Sequence, residues 1–304
     1  MCPDVGIAGG GARAVVTERG SGLRAFEVDG IPYCETYPAD QEPPMGVGAV
    51  LIPWPNRVAA GRWGWRGEAH QLAITEPERG HAIHGLLRHA LWRVVRRAAH
   101  AVELDVRISA GAGWPQPLIV RTSYRVDGDG LSVSHRIRND GVDPVPVGVG
   151  THPYLRVGDV PADELTLRLS AGTVLPVDDR LIPSGPPRPV GGTDLDLRSG
   201  RRVGALELDT AFGGCTRGDD ALVRHELRAP DGTGVELWAD PAFRWVQVFT
   251  PHDFPRAGRG PGRAVAIEPM TCPPDALNSH VDLTVLAPRE SWTVRWGLRP
   301  LAPQ

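Results

Sequence analysis

Apolar and polar residues alternate with a period of two over much of this chain, most regularly in Val102-Glu103-Leu104-Asp105-Val106-Arg107-Ile108. A period of two sends successive side chains to opposite faces, so such a run predicts a strand with one face towards a core. The same pattern predicts strands over residues 91–95, 101–108, 118–126, 131–137, 163–169, 225–227, 235–238, 244–249 and 291–298. Asp127-Gly128-Asp129-Gly130 and Asp231-Gly232-Thr233-Gly234 fall between pairs of these runs and predict two hairpins. Ala264-Val265-Ala266-Ile267 is wholly apolar and reads as a strand buried on both faces. The 37 glycines and 30 prolines break the chain too often for long helices. An all-β sandwich or barrel follows, with less than about a third of the residues in helix. Residues 183–192 read as a surface loop. With no linker or repeat apparent, residues 1–304 are expected to form a single domain.

Composition narrows the chemistry. The formal net charge of -3 gives no reason to expect nucleic acid or an acidic membrane as a partner. All 33 basic Lys/Arg positions are arginine, so a lysine Schiff base and a P-loop lysine are both excluded. Arg93, Arg96 and Arg97 lie on a predicted strand and read as a solvated face. Cys2, Cys34, Cys215 and Cys272 form no paired motif, which argues against a zinc ribbon or a disulfide framework. Neither a signal peptide nor a membrane-spanning run is apparent, and a cytoplasmic location is expected.

A few polar residues stand out from this background. Arg57 follows the apolar stretch Val50-Leu51-Ile52-Pro53-Trp54, and its guanidinium fork suits either a surface or a set of sugar hydroxyls. His81 and His84 lie three apart in His81-Ala82-Ile83-His84-Gly85, with His89 beyond. A metal site there needs further ligands, and no metal is expected. His84, before Gly85, suits a loop lining a pocket. His152 follows a run of glycines and apolar residues, as if a packed strand ended at a cleft. Asp209 suits a turn. Glu268 ends the apolar strand and must be paired, hydrogen-bonded or functional, with burial raising its pKa.

Six segments in this order resemble the aldose 1-epimerase (galactose mutarotase-like) family. They are Asn56-Arg57-Val58 with Gly61-Arg62-Trp63, Ile83-His84-Gly85-Leu86 with Trp92, and Gly150-Thr151-His152-Pro153-Tyr154. Asp209-Thr210-Ala211-Phe212, Val246-Gln247-Val248-Phe249-Thr250 and Ala266-Ile267-Glu268-Pro269-Met270-Thr271 complete the set. The resemblance covers nearly the whole chain and implies a large antiparallel β-supersandwich. It implies His152 as general acid and Glu268 as general base, with Arg57, His84, Asp209 and Gln247 holding the sugar. The implied partner is a small-molecule sugar, met by a monomer or homodimer with no cofactor. Acid and base are expected to converge to within a sugar's width, on the order of 5–8 Å. This chain has His81 where the family often has Asn, Leu86 where galactose-type members have Gly, and His280 where Gly is common.

Three rival readings remain, the last of them a metalloenzyme built on His81, His84 and His152. A sugar-phosphate mutarotase on the same fold needs arginines at the pocket mouth, and Arg62, Arg66 and Arg88 are the candidates. A non-catalytic sugar-binding protein is expected to lack the acid or the base, yet both are present.

Overall fold

The computed structural model describes residues 4–38 and 40–303, so Cys2 lies outside the described residues. Strands hold 48% of the residues and helices 5%, well below the helical share that would contradict an all-β fold. Every named strand pairing is antiparallel.

The largest sheet has nine strands. Its order is Arg93–Ala98, Ala101–Ile108, Leu118–Asp127, Gly130–Asn139, Ser291–Leu301, Gly234–Ala239, Val223–Arg228, Thr166–Leu169 and Arg201–Arg202. Both Asp-Gly turns form hairpins, with Asp127 opposite Gly130 and Arg228 opposite Gly234. Alternation is regular in Leu118–Asp127, where Leu118, Val120, Thr122, Tyr124 and Val126 are buried. This face packs into one apolar cluster that also holds Trp92, Trp114 and Trp296.

A second sheet carries the site. Its order is Arg188–Pro189, Ala171–Val174, Asp209–Cys215, Trp245–Phe249, Val265–Met270, Gly150–Thr151 and Val50–Leu51, and Tyr154–Leu155 also pairs with Val265–Met270. A four-stranded sheet of Asp4–Gly9, Ala12–Thr17, Leu23–Val28 and Ile31–Pro32 precedes both.

Several sequence expectations shift. The run predicted at 91–95 becomes Arg93–Ala98, since Leu91 is exposed while Trp92 turns into the core. The run at 163–169 opens as a short 3-10 turn at Ala162–Glu164. Asp209 begins a strand rather than a turn. Glu268 lies inside Val265–Met270, not at its end. The 183–192 loop contributes the short edge strand Arg188–Pro189. His280 holds a left-handed φ of 57° closing a short helix, which accounts for the family's preference for Gly there. Cys34, Cys215 and Cys272 are free thiols. No helix among the described residues is long and apolar enough to cross a membrane.

The core also sets a pH limit. His135 is buried between Thr122 Oγ1 and Trp296 Nε1, both 2.9 Å from its ring nitrogens, and the indole N–H donates to Nε2. Burial pushes His135 and His225 down to about 3. Both stay neutral in the fold, whereas an unfolded histidine takes a proton below about 6.5. The unfolded chain therefore binds more protons, and stability falls as pH drops from about 6.5 towards 3. Each histidine contributes a slope of up to about 1.4 kcal/mol per pH unit. Urea melts across that range are expected to show falling midpoints, and a flat midpoint contradicts this account.

Candidate active site

Sheet register brings the central residues together. Gln247 lies directly opposite Glu268, and Ala211 opposite Gln247. Direct cross-strand partners share a face, so Gln247 and Glu268 project to the same side. Asp209 is two positions before Ala211 and shares that face, and Gln247 Nε2 donates to its Oδ1 at 2.6 Å.

His152 follows Gly150–Thr151, which pairs with both Val265–Met270 and Val50–Leu51. Its backbone is fixed from both sides: His152 N donates to Ala49 O at 3.1 Å, and Gly48 N donates to His152 O at 2.8 Å. The Tyr154 ring stacks on the imidazole with centroids 5.2 Å apart and planes 18° apart, and Phe254 packs on Tyr154 behind it. On the other side Gly46, at φ 73°, lets the chain pass close to the ring; a Cβ there would lie 3.3 Å from His152 Cδ2.

Arg57 and His84 come from a second ladder, Arg57–Val58 against Ala82–Ile83. The Asn56 side chain accepts from Arg57 N at 2.9 Å and its carbonyl from His84 N at 2.9 Å. His84 holds a left-handed φ of 64°, a costly backbone for a residue with a Cβ and one that collects at functional sites. Gly85 follows at φ 69°, where a Cβ would lie 2.2 Å from Ile52 O. Gly85→Ala is therefore expected to displace His84 and destabilise the fold by more than the ~1 kcal/mol of a typical point substitution. An unchanged melting temperature contradicts this.

These residues enclose a cavity of about 500 Å³ whose lining includes Arg57, His84, His152, Asp209, Gln247 and Glu268. That volume lies within the ~300–1,000 Å³ of small-molecule sites. All six sequence-predicted residues thus meet in one place. His152 Nε2 lies 3.3 Å from Glu268 Oε1, closer than a sugar's width.

Burial pushes the Glu268 carboxyl well above the usual carboxylate range; the Asp209 charge adds to the rise and Arg57 opposes it. Burial pushes His152 down to about 3, against a backbone hydrogen bond and with help from the Arg88 charge. This is far below the ordinary imidazole value of about 6.5. His84 is lowered well below 6.5 by burial, then by His152, Arg88 and Arg57. His84 Nδ1, His152 Nδ1, Gln247 Oε1 and Glu268 Oε2 are buried with no hydrogen-bond partner. Buried polar atoms left open are costly, and all four belong to residues that line the cavity.

Other cavity residues escaped sequence reasoning. Glu76 holds Arg57 through two hydrogen bonds of 2.8 Å, and Arg79 adds one of 3.1 Å to the same carboxylate. Burial alone raises the Glu76 carboxyl, but hydrogen bonding and charge from Arg57, with Arg79, bring it below its ordinary value. Arg57 Nη2 also lies 3.7 Å from Asp209 Oδ2. Glu76 sits in the polar run Thr75-Glu76-Pro77-Glu78-Arg79, which looks like any surface turn. His81 stays outside the cavity: its Nδ1 accepts from Ala60 N at 3.1 Å. The metal set imagined on His81 is therefore not assembled, although His84, His152 and Glu268 each bring a donor atom to within 4.8 Å of the others.

Comparison with known proteins bears on the family and the fold. The aldose 1-epimerase family model matches residues 5–299. Uncharacterized protein YihR of Escherichia coli is 32% identical over 283 residues, 93% of this chain and 88% of that protein. Human galactose mutarotase is 33% identical over 166 residues, which are 52% of this chain and 46% of that protein. Among solved structures, an aldose epimerase homologue from C. elegans superposes with a TM-score of 0.88 at 20% identity, covering 100% of both chains. A galactose 1-epimerase from Lactobacillus acidophilus gives 0.76 at 18% identity, over 96% of this chain and 92% of that one. At such identities the likeness speaks for the fold. With the family model spanning nearly its whole length, this chain belongs to the aldose 1-epimerase family.

Proposed function

We propose that the protein is a mutarotase that interconverts the α and β anomers of a free aldose through proton transfers by Glu268 and His152. The observation that carries this reading is the buried 3.3 Å contact between His152 Nε2 and Glu268 Oε1 at a cavity of sugar size. The Glu268 carboxylate takes the proton of the C1 hydroxyl while protonated His152 gives one to the ring oxygen. The C1–O5 bond breaks and C1 becomes a carbonyl. Rotation about C1–C2 presents its other face, and the two residues return the protons as the ring closes.

The electrostatics favour the state that follows ring opening. Ring opening leaves Glu268 protonated and His152 neutral, the uncharged arrangement that burial favours. Opening itself needs the charged arrangement, and the direct contact lets a proton pass from Glu268 to His152 as the sugar binds. In this reading Arg57, His84, Asp209 and Gln247, which line the same cavity, hold the sugar's hydroxyls.

Each step uses only this chain's side chains, so activity is expected to persist in excess chelator. Loss on chelation with recovery on adding zinc would reverse that view.

A second reading, a sugar carrying a phosphate, is favoured by Arg88. It lines the cavity and is held through the Thr75 carbonyl rather than a carboxylate. The other two arginines considered do not join it: Arg62 donates to Gln71 and Arg66 pairs with Asp143, both outside the cavity. One arginine is less than the cluster a phosphate calls for, so the free aldose stands first. Polarimetry on pure anomers, free and 6-phosphorylated, tests both. Faster approach to equilibrium with free aldoses supports the first reading, acceleration confined to phosphorylated ones supports the second, and none with any anomer rejects both.

A further inference from the structure

His84, His152 and Glu268 have a capacity that mutarotation does not use. Two histidine nitrogens and a carboxylate oxygen make a donor set that holds zinc and similar ions while leaving a fourth position open. Here the three donors lie within 4.8 Å of one another on buried side chains. Tetrahedral zinc with bonds of about 2.0–2.2 Å places neighbouring donors roughly 3.3–3.5 Å apart. His152 Nε2 and Glu268 Oε1 stand 3.3 Å apart and already form one such edge.

His84 has to close the remaining gap. Its ring stands edge-on to His152, with centroids 5.3 Å apart and planes at 73°. Its Nδ1 has no hydrogen bond to lose when the ring turns. Glu268 Oε2 is likewise unpartnered, so the carboxylate can pivot towards an ion without breaking a bond there. The cavity admits a hydrated ion and leaves water in the fourth position.

We propose that His84, His152 and Glu268 form a site for a first-row divalent transition ion that binds in competition with the sugar, so that such ions inhibit the protein. An ion on His152 and Glu268 occupies the lone pairs that accept and return protons. Inhibition rests on the proposed function; the binding itself rests on the donor geometry alone.

The test titrates the full chain, stripped of metal, with Co²⁺ while following the visible absorption that strengthens on tetrahedral coordination. Zn²⁺ is then measured by calorimetry. One saturable site is expected. Glu268→Gln and His84→Ala are each expected to weaken it by at least about tenfold, the scale of losses seen when a metal site is disturbed. Where His84→Ala fails to fold by circular dichroism, His84→Asn takes its place. His252→Ala, which removes the surface pair with Glu207, is expected to leave affinity unchanged. A sugar that the protein turns over is expected to weaken Zn²⁺ binding, and Zn²⁺ to slow turnover. Absence of binding, binding indifferent to both site variants, or binding lost in His252→Ala overturns the proposal. Zn²⁺ bound at the site without effect on turnover overturns the competition. Should the protein turn over no sugar, the proposed function falls while Co²⁺ binding still decides this site.

Discussion

Glu268→Gln and His152→Asn are each expected to lower turnover by roughly 10²–10⁴-fold, the usual contribution of a positioned general acid or base. Sugar binding is expected to survive largely intact in both. Glutamine keeps the shape of Glu268 inside its strand, opposite Gln247, and removes the group that takes the C1 hydroxyl proton. Asparagine at 152 keeps a polar side chain beside Tyr154 and removes the titrating ring. Both groups act in one step, so the double variant is expected to lose less than the product of the single losses. Each variant has its own check in the melting temperature, because neither substitution enlarges a side chain. Glu268→Gln with ordinary turnover would contradict the assignment, even with the fold as described.

Glu76→Ala is expected to be the most damaging change away from the reacting pair. Arg57 and Glu76 are both largely buried and joined by two hydrogen bonds of 2.8 Å. Breaking such a pair leaves a charge buried without its partner, which costs about 3–5 kcal/mol; both residues line the cavity rather than the core, so the lower end, about 3 kcal/mol, is expected. Weaker sugar binding is expected as well, because Arg57 loses the carboxylate that aims it and Asp209 lies only 3.7 Å from its Nη2. Glu76→Gln retains an acceptor and is expected to fall between wild type and alanine. Chemical denaturation together with sugar titration checks this, and a Glu76→Ala protein of unchanged stability contradicts it.

Where one side chain face meets core and the other meets water, the strands were legible in the sequence. Residues 101–108 and the hairpin across Asp127–Gly130 form as predicted because the alternation there is regular and the turn residues tolerate tight geometry. The N-terminal sheet was not anticipated. Its strands Asp4–Gly9 and Ala12–Thr17 do alternate in burial over most of their length, but five of their twelve residues are Gly or Ala, whose hydrophobic signal is weak. Asp209 was misplaced for a related reason: Gly213 and Gly214 interrupt the apolar pattern of Asp209–Cys215.

The site divides along the same line. His84, His152 and Glu268 were visible as polar residues among glycines and buried apolar residues, and the family resemblance supplied their grouping together with Arg57, Asp209 and Gln247. Glu76 was invisible because its importance lies in a contact 19 positions away, and its neighbours are all polar or proline. The lowered His152 pKa was hidden for another reason. It arises from burial of the ring, against which Tyr154 and Gly46 pack only in the folded chain, with the Arg88 charge adding to it.

Equilibrium exchange spectroscopy by proton NMR tests the central claim most directly, since it reads α-to-β conversion of an aldose without a coupled enzyme. With catalytic protein and excess chelator, the account predicts exchange cross-peaks between the two anomeric protons at rates well above those of buffer alone. Under the same conditions Glu268→Gln is predicted to bring the rate close to buffer. Binding of the sugar without accelerated exchange in the wild-type protein, or equal exchange in wild type and Glu268→Gln, would contradict it.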